Sequence, residues 1–178
     1  MAFSIQNFAS NVMKSGGARP NLFEVRLTDQ GFGQDFSFYC KAASLPSSII
    51  GQVDVPYFGR QVRLAGDRTF ENWNITVLQQ ETMDHHAKFE EWMHKINNYA
   101  ANLDTTDGVA GYKVDAEVIH YTKAGEENRR YKFKGMFPIN LGAVELAWDS
   151  NDAVEEFTVE LTYDYYESSA ALAGSALS

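Results

Sequence analysis

Residues 45–78 have the sequence LPSSIIGQVDVPYFGRQVRLAGDRTFENWNITVL. Two apolar segments flank the Pro/Gly turn at 56–59 and predict a long β-hairpin arm over about 47–64. Residues 65–70 are expected to turn a corner into a strand that begins near Trp73. A two-stranded ribbon is marginally stable in water unless one of its faces is packed. Either the body of the domain or another copy of the protein must cover the arm, and we expect another copy.

Length and composition indicate one folded unit. The chain has 178 residues, 44% of them hydrophobic, so a single domain over 1–178 with a sizeable core is expected. No apolar run approaches membrane-spanning length and no signal peptide is apparent, so no membrane partner is expected. The single Cys40 excludes an intramolecular disulfide and is expected to be a buried thiol.

The charge is negative and unevenly distributed. The formal net charge is −9, the last basic residue is Lys134, and residues 135–178 contain eight acidic residues and no basic one. Stable binding of nucleic acid needs cationic side chains that displace counterions from phosphates, so this function is disfavoured. A surface past which DNA must move without sticking would be acidic, but many ordinary soluble proteins are acidic too.

Alternation of apolar and polar residues predicts most of the secondary structure. The predicted strands span 22–28, 34–42, 73–77, 112–122, 129–137 and 156–165. The last has the strictest pattern, in which the odd-numbered residues from Phe157 to Tyr165 share one face. With the arm, these seven or eight antiparallel strands predict a mainly β fold, either a β-sandwich or a small barrel.

One convincing helix is predicted at about 82–100. Phe89, Trp92, Ile96 and Tyr99 form its apolar stripe, and Thr82 or Asp84 is expected to cap its start. Residues 1–17 are expected to form an N-terminal arm with a short amphipathic helix at 3–14. Residues 168–178 are small and uncharged, which predicts a flexible tail.

Few residues suggest chemistry. His86, Glu90 and His94 share one helix face, so a metal site can be drawn there, but neither an HExxH spacing nor a fourth ligand accompanies them. A solvated polar face is the better interpretation. The chain contains no GxSxG, P-loop or GxGxxG motif. We therefore assign no catalytic, cofactor-binding or metal-binding residue and expect a protein that is not an enzyme and needs no cofactor.

A row of basic residues occupies the strand at 129–137. Arg130, Lys132 and Lys134 alternate with aromatic residues, and such a row usually pairs with an acidic neighbour. The acidic face of the last strand is the expected partner, within the subunit or across an interface.

A series of short blocks resembles the tail tube protein of T-even-like contractile phages. In chain order these blocks are ARPNLF at 18–23, CKA at 40–42, LP at 45–46, AGDRTF at 65–70 before Trp73, KGMFP at 134–138, LAWDSN at 146–151 and DYYE at 164–167. The specificity of the resemblance lies in the ordered series, because no single block is a catalytic signature. The loop at 101–111 and the segment after Glu167 depart from the family pattern.

The resemblance implies a structural protein of the virion tail, assembled in the host cytoplasm. Members of this family form six-membered rings that stack into a hollow tube inside a contractile sheath. Strands from all subunits join into an inner barrel, and genomic DNA leaves through its bore. The implied partners are other copies of the chain, the tail sheath protein, the baseplate and tail terminator proteins, and DNA in transient, non-specific passage.

Two sets of candidate site residues follow from the resemblance. The arm that would reach an adjacent ring carries Ile49, Ile50, Val53, Val55, Tyr57, Phe58, Arg60 and Arg63. The candidate acids that would line the bore are Asp115, Glu117, Glu156, Glu160 and Asp164. An acidic bore would repel phosphates, so that DNA finds no deep binding minimum and slides.

Three alternatives stay open at this point. The chain could be a tube subunit of a secretion or injection system that carries protein cargo. It could be a monomeric β-sandwich binding module, for example for carbohydrate, that uses Tyr57, Phe58, Trp73 or Trp148. It could also be an enzyme that uses the helix histidines.

Overall fold

The computed structural model describes residues 17–28, 32–33, 36–99, 111–148 and 153–170. The helix predicted at 3–14, nearly all of the loop at 101–111, and the end of the chain from 171 lie outside these residues. The described elements are β1 (Phe23–Leu27), α1 (Phe36–Tyr39), β2 (Cys40–Ala43), β3 (Ser48–Tyr57), β4 (Arg60–Phe70), β5 (Trp73–Leu78), α2 (Asp84–Ile96), β6 (Val114–Tyr121), β7 (Glu127–Leu141), β8 (Glu156–Thr162) and β9 (Tyr165–Ala170). In these residues, no helix has the length and apolarity needed to cross a membrane.

Two antiparallel sheets share the long strand β7. Its first half pairs with β6 and β9 and belongs to a sheet of order β1-β6-β7-β9. Its second half pairs with β8 and belongs to a sheet of order β7-β8-β5-β2. The arm strands β3 and β4 pair only with each other among the described strands. This confirms the mainly β, antiparallel prediction as a sandwich, with no closed barrel among the described strands.

β7 passes from one sheet to the other at Gly135. This glycine has φ +66, and a Cβ added to it would lie 2.1 Å from a carboxylate oxygen of Asp164. Across from it, the Asp164 N–H donates a hydrogen bond to the Lys134 carbonyl at 2.9 Å. Only glycine has both the left-handed backbone and the missing side chain that this crossing requires.

The core lies between the two sheets, and α2 covers one part of it. Trp73 from β5 stacks on Phe133 from β7, with ring centroids 4.6 Å apart. Phe89 and Trp92 bring α2 onto the same cluster and are almost fully buried. Both buried tryptophans are satisfied, since the Trp73 Nε1 donates to the Ser44 carbonyl and the Trp92 Nε1 to the Tyr112 carbonyl.

The strand predicted at 34–42 is wrong in its first half. Phe36–Tyr39 forms one helical turn, α1, and the strand begins only at Cys40. A helical turn brings positions i and i+4 to the same side, so Phe36 and Cys40 are buried while Phe38 is 82% exposed. Burial of the Cys40 thiol is thereby confirmed, and this burial raises its pKa to about 12.

The predicted last strand is two strands rather than one. β8 ends at Thr162 and β9 begins at Tyr165, and the side-chain alternation changes phase between them. Tyr163 is therefore buried, whereas Tyr165 is 46% exposed and Tyr166 packs against the core in its place. The predicted tail from 168 onward is wrong for 168–170, because these residues pair with the start of β7.

The helix prediction is right in its centre and wrong at its ends. α2 spans Asp84–Ile96, so Tyr99 lies beyond it and is 88% exposed. Neither Thr82 nor Asp84 caps it. The N-cap residue is Met83, in a left-handed conformation with φ 56 and without a side-chain cap. His85, one turn before Phe89, joins the buried stripe.

Candidate assembly surfaces

The arm is longer than predicted and extends from Ser48 to Phe70. Residues 65–70 continue β4 and do not form a corner. The pairing register of the two strands shifts at Gly51, which faces the start of the segment predicted as a corner. A Cβ on Gly66 would lie 3.2 Å from the carbonyl carbon and oxygen of Gly51. The two glycines therefore let the backbones approach closely at a bulge, and the chain continues as a strand.

A two-residue loop closes the far end of the arm. Phe58 and Gly59 have φ 43 and 80, the positive values that a type I′ hairpin turn requires at both central positions. The Phe58 ring is 91% exposed and meets the Tyr57 ring edge-on at 4.6 Å. At the other end, Phe70 packs against Tyr163 and Tyr166 and anchors the arm to the body.

One side of the arm carries a continuous apolar surface, which we call the arm face. It is formed by Val53 opposite Leu64 and Val55 opposite Val62. These four side chains are 42–53% exposed. Every residue of β3 is exposed, including the predicted arm residues Ile49 and Ile50. Among the described residues, nothing covers the arm face.

The arm is basic. The strands β3 and β4 together carry a formal charge of +1, from the three arginines Arg60, Arg63 and Arg68 and the two aspartates Asp54 and Asp67. Arg63 pairs with Asp54 across the strands at 3.7 Å. Arg60 and Arg68 form no ion pair with any described residue, so their charges remain available to a partner.

The candidate bore acids of β6 are neutralised by neighbouring bases. Asp115 forms an ion pair with Lys134, and this hydrogen bond raises the pKa of the lysine. Glu117 accepts a hydrogen bond from Arg130 at 3.2 Å and lies 3.5 Å from Lys132. Within the subunit, the ion pairs of the basic row of β7 therefore go to β6, and the prediction that the row pairs there with the acidic face of the last strand is wrong. β6 and β9 flank this half of β7, whereas β8 pairs with the other half.

The other three candidate acids lie elsewhere. Glu156 and Glu160 lie on β8 in the second sheet, where Glu156 pairs with Lys41 and Glu160 accepts a hydrogen bond from the Asn72 side chain at 2.8 Å. Asp164, at the junction of the sheets, forms an ion pair with Lys113 at 2.7 Å. The structure thus distributes the five acids over two sheets and their junction. Of the five, Glu160 has no ion pair with a described residue.

A groove that the sequence did not predict lies beside the start of β8. Its floor includes Leu78 and Thr158, and its walls come from the segments 143–148 and 153–155. Leu146 is 78% exposed and Trp148 is fully exposed. These segments have neither an alternating nor a helical pattern. What the sequence does show there is a group of apolar side chains in a loop.

The groove is acidic at its margins. Glu145 and Glu155 line it and form no ion pair with a described residue, and Glu156 is the acid that pairs with Lys41. We call this surface the acidic groove and define it by Leu78, Leu146, Trp148, Val154, Glu145 and Glu155.

The described residues contain no group of three or more His, Cys, Asp or Glu side chains that could hold a metal ion. The His86 Nδ1 lies 3.5 Å from Glu90, and the ring meets Phe157 at 5.2 Å. His94 instead contacts Tyr99 at 4.9 Å. Two of the three polar residues of this helix face therefore contact each other, while the third has a different neighbour.

The binding-module alternative loses one of its four aromatic residues. Trp73 is 1% exposed and belongs to the core. Tyr57 and Phe58 lie at the arm tip, while Trp148 lies in the acidic groove, beside the opposite end of β5 from the arm root. No common platform of these residues is available for a sugar.

Comparison with known proteins supports an assembly role. The protein family described as phage tail tube protein matches residues 3–169. The tail tube protein gp19 of Enterobacteria phage T4 is 39% identical over 151 residues, which cover 84% of this chain and 91% of the relative. The tail tube protein of Serratia phage KSP90 is 23% identical over 90% of this chain and 94% of its own length.

Two solved structures share the fold at low identity. A chain in the tube-terminating cap of the anti-feeding prophage matches with a TM-score of 0.68 and 17% identity, covering 88% of this chain and 93% of that one. A chain in the extended sheath–tube complex of the extracellular contractile injection system PVC matches with a TM-score of 0.62 and 16% identity, covering 96% and 100%.

Proposed function

The chain belongs to the phage tail tube protein family, and we propose that its copies form six-membered rings that stack into the hollow tube of a contractile tail. Genomic DNA would leave the virion through this tube. The observation that carries the proposal is the uncovered arm face. A ribbon with an exposed apolar side is marginal alone, and stacked copies of the chain would cover it.

Unpaired strand edges support the ring. Among the described strands, β1 and β9 each pair on one side only, and so does β2 in the other sheet. Exposed edges promote aggregation unless they are paired. Lateral pairing between copies would satisfy these edges, and a head-to-tail contact whose rotation closes produces a ring.

The role that follows is structural rather than catalytic. We propose the tail sheath protein, the tail terminator and the baseplate as further partners in the virion. Support comes from the shared fold, because the matched structures are a tube-terminating cap and a sheath–tube complex. The arm residues from Ile49 to Arg63 would contact an adjacent ring.

Passive conduction of DNA requires a bore that does not bind phosphates. The net charge of −9 supports such a bore. Four of the five candidate acids form ion pairs within the subunit, so each of them contributes less repulsion than a free carboxylate. Glu160 is the candidate whose charge is least compensated, and we propose it as the main source of repulsion.

A tube for protein cargo is the second candidate. The fold is shared with the anti-feeding prophage cap at a TM-score of 0.68 and with an injection-system structure at a TM-score of 0.62. At 16–17% identity these matches show the fold alone, whereas the identity to the phage T4 protein is 39% over most of the chain. We therefore favour DNA as the cargo.

Assembly of the purified protein tests the proposal. We expect negative-stain microscopy of concentrated protein to show rings or tubes with an open centre, and size-exclusion chromatography to show a shift to large species with concentration. A monomer that persists at the highest concentration and remains a sharp, stable species would contradict the proposed tube.

A further inference from the structure

We propose that the arm of one copy docks in the acidic groove of a second copy, with the arm face against Leu146 and Trp148. This inference rests on the stacking part of the proposed function and identifies the surface that receives the arm. Four features of one subunit lead to it: the opposite positions of the two surfaces, their matching apolar character, their opposite charges and their lack of cover.

The arm and the groove lie at opposite ends of the same sheet. β5 begins at Trp73, beside the arm root, and ends at Leu78, which lines the groove. β8 runs the other way, so Leu161 pairs with Trp73 and Glu156 pairs with Leu78. The five steps of β5 from Trp73 to Leu78 separate the arm root from the groove by about 17 Å, at about 3.3 Å per residue.

This arrangement directs the arm to another molecule. The arm begins at the end of the sheet away from the groove, so a copy placed in line with the first brings its groove to the arm. Such a contact is head-to-tail, because each copy offers an arm at one end and a groove at the other. A head-to-tail contact that does not close on itself propagates into a filament, which is the geometry that stacking requires.

Apolar side chains match on the two surfaces. The four aliphatic residues of the arm face are about half exposed, while Leu146, Val154 and Trp148 are 67% exposed or more. Contiguous exposed apolar surface of this kind marks an interaction site. Docking would bury the arm face against the apolar residues of the groove and so remove both apolar surfaces from water.

The unpaired charges also match. Arg60 and Arg68 have no ionic partner among the described residues, and the same holds for Glu145 and Glu155 in the groove. Guanidinium and carboxylate groups form bidentate hydrogen-bonded pairs. A second copy therefore supplies the opposite charges that each surface lacks, and complementary charges also fix the register of the contact.

A charge-reversal and rescue experiment tests the docking. One variant carries Arg60→Glu and Arg68→Glu, a second carries Glu145→Arg and Glu155→Arg, and a third carries all four changes. We expect each of the first two to raise the protein concentration needed for tubes at least tenfold, and the third to return it to within about threefold of the original protein. Reversal of Glu81 and Glu91, which lie outside the groove, is the matched control and should leave that concentration unchanged.

The outcomes separate the docking from the tube. If the original protein forms tubes and the groove reversal leaves them intact, the groove is not the receptor, although the tube stands. Loss of tubes in both double variants without rescue in the fourfold variant would also overturn the docking. If the original protein never forms rings or tubes, the tube proposal fails and the docking fails with it.

Crosslinking provides a readout that does not depend on charge. Subunits with Val55→Cys and subunits with Ala147→Cys would be mixed, assembled and treated with a short bismaleimide, while the buried Cys40 stays protected. We expect a covalent dimer that contains one subunit of each kind. Co-assembled tubes that yield no such mixed dimer would contradict the docking.

Discussion

The backbones of Gly51 and Gly66 touch across the arm, so that a Cβ on Gly66 would lie 3.2 Å from the carbonyl carbon of Gly51. We predict that Gly66→Val distorts the arm and abolishes tube formation, because backbone atoms cannot move aside as a flexible side chain would. The free energy of unfolding should change by less than about 1 kcal/mol, since the arm lies outside the core. Microscopy and urea denaturation measure the two effects, and the neighbouring Ala65→Val is the control that should assemble normally.

The two sides of the arm should differ in their tolerance of charge. Val55→Asp places a carboxylate in the middle of the arm face, whereas Gln61→Asp places one beside Pro56 on the other side. We expect the first to prevent stacking and the second to permit it, with both subunits as stable as the original to within about 0.5 kcal/mol. Sedimentation of tubes distinguishes the variants, and equal assembly of both would show that the arm face is not an interface.

The stacked pair of Trp73 and Phe133 should dominate the stability of the subunit. Phe133 is fully buried, so Phe133→Ala removes a large side chain and leaves a cavity between the sheets. We predict a loss of about 3–5 kcal/mol in the free energy of unfolding. Phe38→Ala is the matched control, because that ring is 82% exposed; it should cost less than about 0.5 kcal/mol in a denaturant titration.

His85 should make the subunit less stable in acid. Its ring is 5% exposed, neither ring nitrogen has a hydrogen-bond partner among the described residues, and it packs against Phe36 and Tyr39. Burial lowers the pKa of His85 below its ordinary value of 6.5, Lys88 adds to this lowering, and Asp84 opposes it.

The sign of the pH effect follows from where the proton binds. Below its ordinary pKa, His85 binds a proton in the unfolded chain but not in the folded protein. The free energy of unfolding is therefore at its full value above about pH 6.5 and falls as the pH decreases, by up to about 1.4 kcal/mol per pH unit. We predict that His85→Leu reduces this slope between pH 7 and 5, as measured by urea denaturation, whereas His94→Gln does not. An unchanged slope in His85→Leu would show that other groups cause the acid sensitivity.

Glu160 should influence the passage of DNA more than the ion-paired acids do. Glu160→Lys replaces the least compensated candidate acid with a base, so we expect intact tails and slower genome ejection from virions. Glu160→Gln should have a smaller effect in the same direction, because it removes repulsion without adding attraction. The measurement is the rate at which virions release DNA. An unchanged rate would show that this residue does not face the bore.

Alternation predicted several core strands, but it was wrong in part at 34–42 and 156–165, where contacts between distant segments decide the structure. β1, β5 and β6 followed from periodicity, and the arm followed from its turn residues. The prediction that Phe38 is buried was wrong. A helical turn and a strand both place Phe36 and Cys40 on one side, so the sequence pattern does not distinguish these two structures, and the tertiary packing decides between them. The phase change after Tyr163 depends on Gly135, a residue 28 positions earlier, so the pattern of the strand itself could not show it.

The candidate surfaces were predictable to a similar degree. Exposure of the arm residues followed from the lack of a second layer for a two-stranded ribbon. The neutralisation of Asp115 and Glu117 did not follow, because strand order decides which charges become neighbours. The acidic groove consists of loop segments without a period, so it became visible only when the fold placed them beside β8.

The sharing of β7 has a mechanical consequence. A single uninterrupted backbone runs through both layers, so a pull on one layer is carried into the other by covalent bonds as well as by packing. Separating the layers would require the hydrogen bonds along one whole half of this strand to shear together. The subunit should therefore respond to mechanical load as one stiff block, and any yielding should occur in the arms, which we propose to link one subunit to the next.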